Sequence, residues 1–400
     1  MNWGRAPLAN TCLRTGMRDP GGSPDKPFLY VDISAINRTL KVITFTPEIL
    51  GTDAPSRARK EIREGDVLVS TVRPNLNAVA VVPPELDGQI ASTGFCVLRP
   101  DRSAIDGRYL FYFTTTPDFI SILSSKVRGA HYPAVSDRDV KEIELPLPPL
   151  SEQRRIVEIL DQADELRKKR AEADAKASRI LPALFYTMFG DPATNPKGLE
   201  KKKLGNLIRV RSGDFLPAKN MAPEGKYPVY GGNGINGYHS EYMFEQPVIV
   251  LGRVGIYCGA VHYSEPNCWV TDNALYVAEQ SEDLHPRYLA EALRVANLNQ
   301  YAGRAGQPLI SGSRIYPVEI LVPNLEDQKN FACSIEKLDQ DENRRKEAGD
   351  YIAKLFSVLL HRAFTGDLTA KWREAHLKEL LAELEQQAKT LALKIEGIKK

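Results

Sequence analysis

The stretch LPLPPLSEQRRI at Leu145–Ile156 returns later in the chain as ILVPNLEDQKNF at Ile320–Phe331. The offset is 320 − 145 = 175 residues, and it places Gln153 on Gln328. Just upstream of the two copies, GAHYPAVS falls on RAGQPLIS at the same offset. A period this long is too large for a solenoid of small repeats, so it indicates a duplicated pair of domains.

Each copy is followed by a segment with helical spacing, in which seam positions recur alternately three and four residues apart. This is the a/d pattern of a coiled coil. The predicted seam positions are Ile156, Ile159, Ala163, Leu166 and Arg170 in the first helix, and Phe331, Leu338, Arg345, Ile352 and Leu355 in the second. Ser151 is the predicted N-cap of the first helix, and Pro182 is predicted to kink or end it.

The regions outside the helices contain short β-branched runs, such as AVAVVP, VIVLG and ALYVA, separated by Gly, Pro and Asn. This pattern is typical of mixed or antiparallel sheet with long loops. The predicted fold class is therefore α+β, with globular units alternating with long helices. The predicted domains are 1–145 (globular), 146–190 (first helix), 191–320 (globular), 321–370 (second helix) and 371–400 (a C-terminal helix).

Composition excludes several classes of protein. The chain is 42% hydrophobic and 26% charged, which is ordinary for a globular protein and rules out a disordered chain. The net charge of +2 neither favours nor excludes nucleic acid, because the distribution over the folded surface decides that. We find no membrane-span pattern, signal-peptide pattern or disulfide framework, so a cytoplasmic location is predicted.

One motif suggests a different function, because GNGING at 232–237 matches G-x-G-x-x-G. That fingerprint needs a buried strand leading into a helix. Here it follows KYPVY, a poor candidate for a buried strand, and precedes HSEYMFEQP, which has no helical period. Cys258, His262 and Cys268 lack a fourth zinc ligand. With no phosphate loop, H-E-x-x-H or N-P-P-Y motif, we expect no cofactor, no metal and no catalysis by this chain alone.

Several motifs together carry a family resemblance. They are PLPPLSEQRRIVEILDQADEL, the G-A-x-x-P-x-V-S run before it, FGD after the first helix, the looser VPNLEDQ, and LLHRAFTGDLTAKWRE near the C-terminus. In these motifs the chain resembles the specificity subunit of type I restriction–modification enzymes. The resemblance covers nearly the whole chain.

The resemblance implies an architecture and a set of partners. Two target-recognition domains, 1–145 and 191–320, would lie at opposite ends of an antiparallel coiled coil, and each would read half of a bipartite double-stranded DNA site. The helices would set the spacing and dock methyltransferase subunits, to which motor-nuclease restriction subunits are added. Adenine-N6 methylation, cleavage and ATP hydrolysis would belong to those partners.

Loop residues are the candidates for DNA contact. Glycine lets backbone N–H groups approach a phosphate, asparagine can pair with adenine, and arginine can pair with guanine. The candidates are Arg73, Asn75, Asn77, Arg128, His131 and Tyr132 in the first domain, and Gly232, Asn233, Asn236, Arg253, Arg304 and Gln307 in the second. The first domain has YVDISAIN where the second has YPVYGGNGING, so two different half-sites are expected. The triplet Lys201–Lys203 would add phosphate contacts.

Two other functions stay open from sequence alone. A non-catalytic helical adaptor for protein assembly, without sequence-specific DNA binding, would show DNA affinity that is absent or insensitive to salt. A small-molecule enzyme using the glycine loop would bind a nicotinamide cofactor.

Overall fold

The computed structural model describes residues 3–129, 133–303 and 308–398, with side chains as far as 389. The chain forms two compact units: unit 1 lies within Met1–Arg170 and Ala348–Lys400, and unit 2 is Ala171–Glu347. The five domain limits drawn from the sequence stay a prediction.

The elements follow one another in a repeating order. The first part of the chain contains β1 Arg5–Pro7, α1 Leu8–Thr11, β2 Cys12–Leu13, β3 Pro27–Val31, β4 Ile36–Asn37, β5 Val42–Ile43, β6 Glu48–Leu50, β7 Ala58–Glu61, β8 Val67–Ser70, β9 Val79–Val81, β10 Ile90–Ser92, β11 Phe95–Pro100, α2 Gly107–Thr114, α3 Pro117–Ser125, α4 Asp137–Lys141, β12 Glu144–Pro146 and α5 Leu150–Ala177. The second part contains α6 Ile180–Phe189, β13 Lys201–Lys203, α7 Leu204–Leu207, β14 Ile208–Ser212, β15 Tyr227–Gly231, β16 Gly234–His239, β17 Ile249–Gly252, β18 Val261–Tyr263, β19 Trp269–Val270, β20 Ala274–Gln280, α8 Pro286–Val295, α9 Gly312–Ile315, β21 Glu319–Leu321, α10 Leu325–Thr365, α11 Ala370–Ala375 and α12 Leu377–Ile398.

The two units share their main sheet and two further strand pairings. An antiparallel sheet has the strand order β2-β11-β8-β9 in unit 1 and β14-β20-β17-β18 in unit 2. A parallel pair accompanies each of them, β3 with β10 and β15 with β19. A short strand early in each repeat pairs with the strand just before a long helix, β1 with β12 and β13 with β21. The duplication seen in the sequence therefore extends to the topology.

The core of unit 1 forms where helices cover the antiparallel sheet. From α2, Tyr109 and Tyr112 are fully buried. Their rings lie 5.1 Å from Phe364 and 6.2 Å from Phe356, both on α10. The C-terminal part of α10 is therefore part of the core of unit 1, although it follows unit 2 in the chain.

The core of unit 2 is centred on Phe331 near the start of α10. Its ring lies 5.8 Å from Phe185 and 5.2 Å from Phe189, both on α6, and 6.2 Å from Tyr288 on α8. All four side chains are almost completely buried. Burial of several large aromatic rings is a major stabilising contribution to a core of this size.

The long helices run antiparallel, as the fold prediction stated. In unit 1, the guanidinium of Arg167 on α5 lies 4.3 Å from the ring centroid of Phe356 on α10. Further along α5, Arg170 lies beside Gly349, which precedes Phe356. Rising residue numbers on α5 thus meet falling numbers on α10.

The ends of α5 test two local predictions. The helix begins at Leu150, and the Gln153 N–H donates to the Pro149 carbonyl at 2.9 Å, so Ser151 lies inside the first turn and the N-cap prediction was wrong. The Ser151 N–H instead donates to Glu383 of α12 at 3.0 Å. The other prediction is confirmed, because α5 ends at Ala177, before Pro182.

The repeated glutamine has a buried role that the sequence pattern did not reveal. In unit 2, Gln328 Nε2 donates to the carbonyls of Pro323 and Asp283, both at 2.8 Å, and its Oε1 accepts from the His285 N–H at 2.8 Å. In unit 1, Gln153 bonds in the same way. We call this arrangement the glutamine tie, because it fixes the loop before α2 or α8 to the start of the long helix.

Candidate nucleic-acid interface

The same two loops meet in both units. The first loop connects the paired strands β8 and β9 or β17 and β18. The second loop precedes α4 or α9. In unit 1, the Arg73 N–H donates to the Pro133 carbonyl at 2.8 Å, and in unit 2 the Gly255 N–H donates to the Pro308 carbonyl at 3.0 Å. The fold therefore provides one frame for a binding surface in each unit.

Part of each second loop lies outside the described residues. The candidates His131, Tyr132, Arg304 and Gln307 fall there, so their contact with DNA remains a prediction. Flanking residues are described. Arg128 is exposed, and its guanidinium lies 3.5 Å from the Asp139 carboxylate.

The first loop of unit 1 has an unusual backbone. Arg73 and Asn77 have φ of 46° and 44°, in the left-handed region. Asparagine tolerates that region, but for arginine it is uncommon and carries a local energetic cost. The Arg73 and Asn75 side chains are exposed, while Asn77 is partly buried. Strain of this kind is concentrated at functional sites, so it supports a binding role for this loop.

A half-buried lysine holds the end of that loop. Lys41 Nζ donates to the Asn77 carbonyl at 2.5 Å. Burial lowers the pKa of Lys41 to about 8, and repulsion from Arg167 and Arg38 adds to the effect. The loop backbone is therefore fixed by a group that is partly neutral near pH 8.

Arg253 begins the first loop of unit 2, directly after β17. Its Nη1 donates to Ser212 Oγ at 3.1 Å and to the Asp272 carbonyl at 3.2 Å. Its own carbonyl accepts from the Ile310 N–H at 2.9 Å. These bonds fix both the backbone and the side chain of the arginine, which lowers the entropic cost of placing it against a ligand.

The glycine-rich stretch forms a β-hairpin. Strands β15 and β16 pair antiparallel on either side of Gly232 and Asn233, so the connection is strand to strand and not the strand to helix that a dinucleotide site requires. Asn233 and Asn236 are exposed, and Gly232 is partly buried. A Cβ atom at Gly231 would collide with the Asn236 side chain. A side chain at 231 would therefore require the exposed Asn236 side chain to turn away.

One prediction about this stretch was wrong. The segment KYPVY is a poor candidate for a buried strand by its sequence, yet β15 is buried over Pro228–Gly231 and pairs with both β16 and β19. Pro228 is tolerated because it lies near the start of the strand, where one missing N–H is cheap.

Cys258 and Cys268, the two cysteines of the possible zinc set, have different surroundings. The Cys258 thiol donates to the Arg253 carbonyl at 3.3 Å, and the Cys268 thiol donates to Ser264 Oγ at 3.3 Å. They belong to separate apolar clusters, and burial raises the pKa of both thiols. Across the described part of the chain, no three His, Cys, Asp or Glu side chains are grouped to bind a metal ion.

The lysine triplet belongs to a strand and not to the paired loops. Lys201–Lys203 form β13, which pairs with β21 just before α10. Lys202 lies 3.4 Å from both Glu200 and Asp283. Phosphate binding by these three lysines therefore remains a prediction, and the paired loops give no support for it.

The predicted helical seam is buried only in part. The seam residues of α5 are buried at Ile156 and Ala163, while Leu166 is 52% exposed. The five seam residues of α10 also differ in exposure, because Phe331 is buried while Leu355 is 50% exposed. The remaining seam residues are partly buried, and they are Ile159, Arg170, Leu338, Arg345 and Ile352.

One face of α10 in unit 1 is apolar and exposed. Tyr351, Leu355 and Val358 follow one another at helical spacing, and they are 75%, 50% and 48% exposed. An exposed stripe of this kind is typical of a protein–protein interface. We call it the α10 stripe. As to membranes, each helix within the described residues is too short or too polar to span one.

Two units with the same main sheet and the same paired loops, together with long antiparallel helices, define a class of duplicated recognition protein. The family model described as "Type I restriction modification DNA specificity domain" matches residues 45–173 and 196–348. The chain belongs to this family.

Individual relatives agree with the family model. The chain is 29% identical over 144 residues to the EcoprrI specificity subunit of Escherichia coli, covering 35% of this chain and 36% of that one. It is 26% identical over 330 residues to the EcoKI specificity subunit of Escherichia coli K12, covering 70% and 69%. The match thus spans about a third of the first relative and about two thirds of the second.

A solved structure is similar over almost the full chain. It describes complex assembly and conformational transition of the type I R-M system, and the similarity has a TM-score of 0.57 at 30% identity. It covers 92% of this chain and 98% of that one.

Proposed function

We propose that this chain is the DNA sequence-specificity subunit of a type I restriction–modification complex. Each unit reads one half of a bipartite double-stranded site through its two paired loops. The chain itself catalyses no reaction. Methyltransferase subunits modify adenine, and motor-nuclease subunits, where present, cleave the DNA.

The repeated loop frame carries this proposal. Both units hold the first loop against the second by matching backbone bonds, among them the one that the Arg73 N–H donates in unit 1 and the one that the Gly255 N–H donates in unit 2. The side chains on the two frames differ, with Asn75 and Asn77 in one and Ile256 and Tyr257 in the other. Two units that read different half-sites would share a backbone frame and differ in the side chains that it carries.

The candidate residues would divide between two roles. Exposed Arg73, Arg128 and Asn75, together with the hairpin asparagines Asn233 and Asn236, would contact base edges or phosphates. Exposed amides suit adenine, and guanidinium groups suit guanine or phosphate. Each assignment is part of the proposal.

The α10 stripe supports a partner at the helices. Tyr351, Leu355 and Val358 expose apolar surface that a helix of another subunit would cover. We propose that a methyltransferase subunit docks here. The 41 residues of α10 give a helix roughly 60 Å long, which offers room for such a partner.

Modified-base sequencing tests the proposal directly. DNA would be taken from cells that express this chain with its cognate methyltransferase subunit, and the control cells would express the methyltransferase alone. The expected result is N6-methyladenine at one split motif, only when this chain is present. Methylation of a contiguous motif, or none despite a formed complex, would contradict the proposal and favour an assembly adaptor.

Two variants separate the roles of loop and helix. Arg253→Gln should leave the complex intact while weakening methylation of one half-site. Leu355→Asp should prevent assembly, because a carboxylate would be buried in an apolar interface. Affinity of the intact complex for DNA should fall steeply with salt, and a salt-insensitive affinity would argue against phosphate contacts.

A further inference from the structure

A lysine of unit 1 has a backbone conformation that favours glycine. Lys41 has φ of 56°, in the left-handed region, which carries a local energetic cost for a lysine. Its amine donates to the Asn77 carbonyl, and across the part of the chain that the structure describes this is its one hydrogen bond. An ammonium group has three donors, so the bond to Asn77 does not account for the whole group.

The Lys41 side chain lines a cavity of about 220 Å³ that opens to solvent. The cavity is mainly apolar, and burial there disfavours the charged form of an amine. This is the largest reason that the pKa of Lys41 falls to about 8. A neutral amine is a nucleophile, so the cavity contains a reactive group with space beside it. The apolar walls come from α2 and α10, and they include Phe111, Tyr112, Phe356 and Leu360.

The charged groups nearest to this amine are mainly cationic. Arg167 on α5 and Arg38 in the turn between β4 and β5 both repel the Lys41 ammonium. Asp164 also lines the cavity, but its carboxylate is paired with Arg167 at 3.4 Å and with Lys168 at 2.9 Å. Neither Lys41 nor Arg38 has a carboxylate partner among the described residues. A negative charge formed at the Lys41 nitrogen would therefore be stabilised by both guanidinium groups.

We propose that Lys41 is a modification site that takes carbon dioxide and becomes a carbamate. The amine nitrogen attacks the carbon of CO₂, an N–C bond forms as one C–O π bond breaks, and the nitrogen releases one proton to solvent. The product is an N-carboxylate with one negative charge. Its remaining N–H still donates to the Asn77 carbonyl, and its carboxylate faces Arg38 and Arg167.

The cavity meets the three requirements of this reaction. It supplies an uncharged amine, room for the added carboxylate and cations that stabilise the product. The reaction consumes only CO₂, which is in equilibrium with bicarbonate in neutral solution. Lys60 is a useful comparison, because its side chain is only 13% exposed but is paired with the Asp137 carboxylate. A lysine paired in this way is held in its ammonium form, so Lys60 should not react.

Chemical trapping and mass spectrometry test the proposal on the full chain. The protein is equilibrated with isotopically labelled bicarbonate and treated with triethyloxonium ion, which converts a carbamate into a stable ethyl ester. After proteolysis, the label is expected on the peptide that contains Lys41 and not on the one that contains Lys60. Lys41→Arg keeps a donor for the Asn77 carbonyl but cannot form the carbamate, so the label at this position should disappear.

Two arginine variants test the role of charge without replacing the reacting lysine. Arg38 is exposed, so Arg38→Gln should fold normally, as thermal unfolding would check. It should lower the yield of labelled Lys41 by about two- to fivefold, the effect of one exposed ion pair. Arg14→Gln is the matched control, because Arg14 is also exposed and does not act on Lys41, and it should leave the yield unchanged.

The yield should also rise with pH when dissolved CO₂ is kept constant. Only the neutral amine reacts, so labelling should be stronger at about pH 8.5 than at about pH 6.5. The other ionisable groups that face the amine are Arg38, Arg167 and Asp164, which as guanidinium and carboxylate groups ordinarily keep their charge over this range, and Tyr112, whose pKa is raised by burial. The residues of α10 that line the cavity are uncharged.

Each outcome decides for or against the carbamate. Selective labelling of Lys41 that falls in Arg38→Gln supports it. No label on Lys41 at the higher pH would overturn it, as would equal labelling of Lys41 and Lys60 or a yield that Arg38→Gln does not change. The inference does not depend on the proposed function, because the trapping experiment contains no DNA and no partner subunit.

Discussion

Replacing Gln328 by alanine should destabilise unit 2 by about 3–5 kcal/mol. Gln328 is fully buried, and its amide makes the three bonds of the glutamine tie, each at 2.8 Å. Alanine would leave the His285 N–H and the Pro323 and Asp283 carbonyls without this partner. A buried backbone group without a partner costs roughly 1–3 kcal/mol, and water entering the vacated space recovers part of that.

The matching change in unit 1 should be less harmful. Gln153→Ala also removes three bonds, but the Ala104 carbonyl accepts a second bond from Gln387 Nε2 at 2.9 Å. Two backbone groups lose their partner instead of three, so the expected loss is about 2–3 kcal/mol. Gln300→Ala is the surface control. Gln300 is exposed, and its replacement should change the unfolding free energy by less than about 0.5 kcal/mol.

Denaturant titration followed by hydrogen exchange and mass spectrometry measures these differences unit by unit. Peptides from α8 and β21 report on unit 2, and peptides from α2 and β12 report on unit 1. Gln328→Glu adds a second check, since its protonated form keeps an acceptor and one donor and should regain stability at low pH. Losses below about 1 kcal/mol for both alanine variants would refute the argument from unpaired groups.

Three further predictions concern charged residues. Arg73→Gly should leave the unfolding free energy within about 1 kcal/mol, because glycine adopts φ of 46° without strain. DNA affinity measured by fluorescence anisotropy should fall at least about tenfold, and lost stability with intact affinity would contradict the assignment. Arg373→Ala should cost about 3–5 kcal/mol in urea denaturation, because fully buried Glu152 would lose the guanidinium that donates to it at 2.8 Å. Arg373→Ala combined with Glu152→Met should recover part of that loss, and no recovery would contradict this reason. For Lys41, whose folded pKa is about 8 against an ordinary 10.5, the unfolded chain holds the proton between those values and the folded chain does not. The stability of wild type relative to Lys41→Met should therefore rise with pH across that window, and a flat difference would contradict it.

The sequence was sufficient for the duplication, the fold class and the long helices. These rest on repeated short signals, such as the glutamine shared by residues 153 and 328 and the three-four spacing after it. The family resemblance came from the same motifs. Signals of this kind are local in the chain, so they can be read without knowing which distant residues they contact.

Contacts between residues that are far apart in the chain could not be predicted from the sequence. Ser151 looked like an N-cap, but Glu383 from α12 receives its N–H, and no local pattern reports that contact. The left-handed backbone at Arg73 was equally hidden, since it depends on a bond to Pro133 sixty residues later.

The glutamine tie and the loop frame together suggest how one fold can hold two different recognition surfaces. Both bond mainly to backbone: Gln153 and Gln328 hold carbonyl and N–H groups, and the frame pairs main-chain atoms at Arg73 and Gly255. Backbone hydrogen bonds use main-chain groups that do not depend on side-chain identity, so residues on the loops can differ without disturbing the frame. The shared residues Gln153 and Gln328 are buried, while the loop residues Asn75 and Ile256 are exposed. The exposed positions of the loops are therefore where the half-site preference of each unit is expected to be encoded.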